Sequence, residues 1–215
     1  PASRDQNTAD IRCNNLNCPA QLTQRILHFV GRNAMDIKGF GEAYVEALIR
    51  EGYVKDIADI YYIHKYRDEM IEKGLIGKEK NTDKLLMAIE DSKNNTIDRL
   101  ITGLGIRNIG PQAAISLMNH FKSIRRLKEA TYEELIQVED MGDISARAVV
   151  EFFSNPVNID IISRLEQAGV NFEAADAADT DGSLSGLTFV ITGTLPSMGR
   201  SQMEELIRKH GGKVS

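Results

Sequence analysis

Apolar residues recur at helical spacing through most of this chain, interrupted by short polar turns. The clearest stretch lies at residues 97–121. Ala114, Leu117, Met118 and Phe121 fall at i, i+3, i+4 and i+7, one stripe of a helix. Upstream, Ile97, Leu100, Ile101 and Leu104 mark the apolar side of a preceding helix. Between the two lies a polar turn, Gly105-Ile106-Arg107-Asn108-Ile109-Gly110. Pro111 suits a first helical turn, where its φ is preset and its missing N–H is no loss. The pattern predicts helix, tight hairpin, helix. A hairpin with glycine at its exit and a helix N-terminus behind it presents backbone N–H groups outward, an array that binds anions and above all phosphate.

The same pattern recurs. Aligned on Gly110, Gly39-Phe40-Gly41-Glu42 matches residues 108–111, with Val45 and Leu48 in the slots of Ala114 and Leu117. Asp140-Met141-Gly142-Asp143 fills the slots again, with Ala146, Val149, Val150 and Phe153 as its stripe. The slot two before the key glycine holds Gly39, Asn108 or Asp140, the residue types that best tolerate positive φ. A fourth copy, Leu75-Ile76-Gly77-Lys78, is degenerate. With Leu85 on the stripe, Lys78 takes the glycine slot; shifting by one restores Gly77 but puts Lys84 on the stripe. Its helix is expected over residues 82–93, with a weakened phosphate grip.

Other periodic segments predict a helix at 20–30, an amphipathic turn from Asp56 to Tyr61, and a final helix at 157–168 capped by Gly169. Residues 173–185 are small, acidic and apolar-poor, a linker. Beyond them the period changes. Residues 187–192 (LTFVIT) read as a buried strand, 193–199 as a loop, 202–210 as a helix, and Lys213-Val214 as the start of a second strand. Two nucleotide-binding motifs are excluded. Gly103, Gly105 and Gly110 are no dinucleotide fingerprint, because position 108 is Asn and the preceding segment is helical. Residues 193–201 are no phosphate loop, since the glycines are one residue too far apart and Arg200 stands where Lys is needed.

The chain has 215 residues, enough for one or two domains. No apolar run reaches membrane-spanning length, and residues 1–6 are polar rather than a signal segment. Position 1 is Pro rather than Met, so the chain reads as a fragment. Two cysteines and no secretory segment point to the cytoplasm. A net charge of −5 argues against a strongly basic binder but permits binding through backbone amides with local cations. The cations near hairpins are Lys38, Lys78, Lys80 and Arg107. The absence of Trp argues against a base-stacking single-strand binder. Tyr61, Tyr62 and Tyr66 are expected to pack between helices, and His64, His120, Arg125, Arg126 and Lys128 to face solvent.

Cys13 and Cys18 form a C-x4-C pair on an Asn/Pro-containing loop. Tetrahedral zinc needs four ligands, so the pair reads as half of a site whose other half lies upstream. His28 is expected on a helix as a surface or packing residue.

In this order, a cysteine pair, repeated helix-hairpin-helix units, an acidic linker and a strand-loop-helix ending in Gly211-Gly212 resemble the C-terminal half of bacterial NAD-dependent DNA ligases. The matching stretches are residues 12–21, 28–41, 104–110 and 188–195. The resemblance implies a mainly α fold: the second half of a four-cysteine zinc finger and a connecting helix at 1–30, four helix-hairpin-helix motifs at 31–172, the linker, and the opening of an α/β BRCT domain at 186–215. It implies nicked duplex DNA as partner and zinc held in part by Cys13 and Cys18, with NAD and magnesium serving the parent enzyme. No membrane is involved, and the BRCT partner is left unspecified. Thr192 and Gly193 resemble the residues that hold phosphate in phosphopeptide-binding BRCT domains. The family's adenylated lysine lies in a Lys-x-Asp-Gly motif; the sole Asp-Gly here, Asp181-Gly182, follows Asp179-Thr180, so this stretch has the DNA-gripping part and not the catalytic lysine. The DNA contacts implied are Lys38, Gly39, Gly41, Lys78, Lys80, Arg107, Asn108, Gly110 and Gly142. A stand-alone helix-hairpin-helix module of a nuclease or repair scaffold, and a helical protein-interaction scaffold, are the competing readings. Positive φ is expected to disfavour Val at Gly41, Gly110 and Gly142. One strand and one helix are expected to be too little for residues 187–215 to be stable alone.

Overall fold

The computed structural model describes residues 2–4, 11–13, 19–174, 183–184, 186–193, 198–199, 203–204, 206–207 and 210–214, with backbone only at 2–4, 11–13, 19–20 and 213. It divides into two units, residues 1–174 and 175–215.

The first unit opens with β1 (Ala2–Arg4) and β2 (Ile11–Cys13), antiparallel with Ala2 opposite Cys13 and Arg4 opposite Ile11. This hairpin carries no alternating pattern long enough to be read in advance. α1 (Pro19–Val30) follows, and its buried Ile26, Phe29 and Val30 share a face. α2 (Glu42–Arg50) packs on α1. A 3-10 helix (Asp59–Tyr66) runs into α3 (Arg67–Glu72), which packs on α4 (Glu79–Ser92). α4 begins three residues before the predicted start, because the apolar stripe shows only where its residues reach the core, at Thr82, Leu85 and Ile89. α5 (Ile97–Gly103) and α6 (Pro111–Phe121) form the third pair. α7 (Ile124–Lys128) bridges to the fourth pair, α8 (Tyr132–Leu135) and α9 (Asp143–Ser154), and α10 (Pro156–Gln167) closes on α9.

One hydrophobic core runs from Ile26 to Phe172. The stripe residues four and seven after each hairpin exit are all buried: Val45 and Leu48, Thr82 and Leu85, Ala114 and Leu117, Ala146 and Val149. Burying each large apolar side chain contributes about 1.5–3 kcal/mol, so this shared register is the main reason the repeats take one shape. Thr82 alone is polar, and its hydroxyl has no hydrogen-bond partner.

Between pairs, α1 packs on α5. His28 Nε2 is 2.8 Å from Thr102 O, while Asn95 donates to Met35 O at 2.7 Å. Gly103 makes this approach possible: a Cβ there would stand 3.0 Å from the Phe29 ring and 3.4 Å from Ala34. At the other end of the array, Arg164 on α10 holds Asp56, Asp59 and Asp160, and Tyr62 donates to Arg164 O at 2.8 Å. Glu173 still belongs to this unit, since it pairs with Ser123, and Ala174 N–H donates to Lys122 O. The expected linker therefore begins later than residue 173, and the rest of that span lies outside the described residues.

In the second unit, β3 (Thr188–Phe189) and β4 (Lys213–Val214) pair in parallel. Ile191 and Ile207 are buried, and Gly212 admits no Cβ because the Ile207 side chain would stand 2.7 Å away. A strand, helical residues and a parallel strand in this order match the α/β opening expected of this segment.

Candidate nucleic-acid interface

Three hairpins share one geometry. Each is a tight turn closed by a backbone hydrogen bond between two buried residues: Phe40 N–H to Ile37 O, Ile109 N–H to Ile106 O, and Met141 N–H to Val138 O. The two apolar residues plug the turn into the core. The two between them are exposed, and the second has positive φ: 84° at Gly39, 61° at Asn108 and 64° at Asp140. That is the slot whose residue types implied it.

The glycine that follows is the N-cap of the next helix, and here the structure corrects the expectation. Gly41, Gly110 and Gly142 have φ of −78°, −92° and −95°, extended conformations open to any residue. An N-cap residue must leave the helical region so that the chain can enter the helix, and that needs no left-handed turn. What glycine supplies is space. A Cβ at any of the three would meet nothing within 4 Å, so the first-turn amides stand open. No side chain caps them. Three other helices are treated differently: Ser123, Thr131 and Asn155 cap α7, α8 and α10 through their side chains.

The residue at the turn tip differs. It is Lys38 in the first hairpin, Arg107 in the third and Glu139 in the fourth, all exposed. The third hairpin has no acid in the helix's first turn, whereas α2 begins with Glu42 and α9 with Asp143. Asp143 is held by Tyr132 (2.6 Å) and Arg147 (2.9 Å), which together keep its carboxyl below the usual carboxylate range. The fourth hairpin thus gathers Glu139, Asp140 and an ionised Asp143, and is the poorest anion site of the three. Gly142 and Gly110 fill the same slot of the repeat; the tip residue, Glu139 or Arg107, is the signal that separates them.

The second hairpin closes differently, with Gly77 N–H on Gly74 O and positive φ at Gly77 itself, one residue before the cap. Lys78 is the N-cap of α4, as the stripe alignment required. Lys78 and Lys80 are exposed. Neither they nor Lys38 enters an ion pair among the described residues, whereas Arg125 and Arg126 are spent on Glu166 and Glu134.

The Cys13 backbone ends β2, its side chain and all of Cys18 lie outside the described residues, and no group of three metal-ligating side chains occurs among the described residues. His28 is a packing residue on Thr102, and His64 and His120 are exposed. Tyr61 is buried, bonded to Ser92 at 3.1 Å, and burial pushes its hydroxyl up to about 12. No described helix is long and apolar enough to cross a membrane.

Comparison with known proteins agrees with this geometry. Residues 99–162 match a helix-hairpin-helix motif, and residues 180–215 match the BRCA1 C Terminus (BRCT) domain. The fold is thus a helix-hairpin-helix array followed by the opening of a BRCT domain. The chain is 49% identical over 213 residues to a DNA ligase of Clostridium kluyveri, covering 99% of the chain and 32% of that protein. It is 43% identical over 212 residues to one of Acholeplasma laidlawii, again 99% and 32%, and 44% identical over 205 residues to one of Methylacidiphilum infernorum, 95% and 29%. Over the length it covers, the chain belongs with the C-terminal region of bacterial DNA ligases, and it spans about a third of those relatives.

Proposed function

We propose that this chain is the DNA-gripping portion of an NAD-dependent DNA ligase that seals nicks in duplex DNA in the cytoplasm. The observation that carries the reading is the repeated hairpin, with an open glycine cap and first-turn amides that no side chain caps, behind a buried plug. Backbone N–H groups of α6, α2 and α9 would hold phosphate oxygens, with Arg107 and Lys38 adding screened attraction. The third hairpin would contribute most and the fourth least, following their charges. Such contacts carry no base information, so binding is independent of sequence and falls with salt. The match to proteins named DNA ligase, which runs over nearly all of this chain and about a third of those proteins, supports this over a stand-alone module or a protein scaffold.

Cys13 and Cys18 are suited to zinc by donor chemistry, as two thiolates of a tetrahedral four-sulfur set. Zinc there would be structural. NAD and magnesium would act on a part of the parent enzyme that holds the adenylated lysine. Without a Lys-x-Asp-Gly motif, the chain is expected to take no label from radiolabelled NAD; labelling would overturn that assignment.

Fluorescence titration of a nicked duplex at two salt concentrations tests the grip. Gly110→Val, which fills the open space without straining the backbone, should weaken binding while helical content by circular dichroism is unchanged. Wild-type affinity in that folded variant would leave the turns as simple connectors.

A further inference from the structure

The second hairpin lacks the open glycine cap, and its charges are sorted in a way the other hairpins are not. The N-cap and first two turns of α4 carry Lys78, Glu79, Lys80, Asp83 and Lys84. Glu79 and Asp83, four apart, share one face, and Arg67 from α3 clamps both. Its Nη2 is 2.9 Å from Glu79 Oε1 and 3.0 Å from Asp83 Oδ2, and its Nε is 2.7 Å from Asp83 Oδ1. The clamp holds the Asp83 carboxyl below the usual carboxylate range, so it stays ionised and paired. Arg67 Nη1 also reaches Asp68, at 3.0 Å. Lys80 and Lys84, also four apart, share the neighbouring face. They and Lys78 are exposed and enter no ion pair among the described residues.

This arrangement works against the helix. Cations at a helix N-terminus oppose its dipole, and like charges four apart repel. The two acids that would offset them face Arg67 instead. A cluster that is unfavourable alone and shielded from its own counter-charges is suited to an external anion.

We propose that the second hairpin is a lysine-built phosphate site. Lys78, Lys80 and Lys84 contact the phosphate backbone of duplex DNA, and Arg67 is a positioning residue that withholds Glu79 and Asp83 from the field those phosphates meet. The proposal rests on the duplex-gripping reading above. It makes the degenerate repeat a contact of a second kind, in which side-chain charge replaces the backbone grip that glycine gives elsewhere.

The test is an anisotropy titration of the 215-residue chain with a nicked duplex across a range of KCl concentrations, with melting recorded for every variant. Each phosphate contact contributes about 0.9 to the slope of log affinity against log salt. The Lys78→Gln/Lys80→Gln/Lys84→Gln variant should lose about 2–3 from that slope and bind at least about tenfold more weakly at low salt. The corresponding triple Lys→Arg variant should keep the wild-type slope. Arg67→Gln should weaken binding about threefold or more, since it exposes two carboxylates to the phosphates. Adding Glu79→Gln and Asp83→Asn should restore the affinity, which a merely structural role for Arg67 would not do. A folded triple-Gln variant with wild-type slope, alongside loss of binding in Gly110→Val, overturns this inference and leaves the broader reading standing. Absence of salt-dependent duplex binding by the wild-type chain overturns both. If Arg67→Gln fails to fold, the lysine variants decide.

Discussion

Asn108 and Gly110 stand two residues apart in one turn and are constrained for different reasons. Asn108 has φ of 61°, where a β-carbon crowds the backbone; Gly110 has φ of −92° with open space before it. Asn108→Val should therefore cost about 1–2 kcal/mol of stability in urea unfolding, with Asn108→Gly close to neutral. Gly110→Val should leave the urea midpoint near wild type and act on binding alone. Equal destabilisation by the two Val variants would contradict the division. Gly103 is constrained by neighbours rather than by its dihedrals. Gly103→Ala forces a methyl against Phe29 and Ala34, and should cost about 1–3 kcal/mol, read as a lower urea midpoint.

Among the elements, helices are sorted by how they begin. α8 carries a full capping box: Thr131 Oγ1 accepts from Glu134 N–H, and Glu134 accepts from Thr131 N–H at 2.9 Å. Thr131→Ala should cost about 1 kcal/mol, seen in thermal or urea unfolding. The hydrogen bond from the Thr131 backbone, with Arg126 nearby, holds the Glu134 carboxyl below its ordinary 4.5. A carboxyl lowered in the folded state contributes stability that is complete above about pH 4.5 and is lost as pH falls through the lowered value. Glu134→Gln should thus flatten the acid limb of the stability profile there and leave it unchanged in shape near pH 7. An acid limb of unaltered steepness would count against the cap. The helices behind the hairpins lack such caps, so the first turn of α6 has no side-chain partner of the kind that makes α8 self-sufficient.

Across the whole molecule, Arg164 joins parts of the chain that no local pattern connects. It reaches Asp56 and Asp59, whose carboxylates also accept from the Ala58 and Lys55 N–H groups. Burial alone would lower its pKa; Asp56, then Asp160 and Asp59, outweigh that and raise it. Arg164→Ala leaves a half-buried acidic cluster and should cost about 2 kcal/mol, with a lower melting temperature. Arg164→Lys should recover only part, because an ammonium cannot fork between Asp56 and Asp59 as the guanidinium does. Full recovery by Lys would show that charge alone holds α10 in place.

The repeats, their register and the residue type at the positive-φ slot were legible in the sequence, because each depends on neighbours within one turn or one helix stripe. Val45, Ala114 and Ala146 had to face inward wherever the helices went. The start of α4, the β1–β2 hairpin and the packing of Gly103 were not legible, because each is decided by what lies across the fold. The conformation of Gly41, Gly110 and Gly142 was misread for a related reason: glycine signals either a left-handed turn or a need for space, and only the surrounding atoms tell which. Charge followed the same rule. The sequence placed Arg67, Glu79 and Asp83 within one region, but which acids meet the arginine, and which lysines are left facing water, was set by how α3 crosses α4.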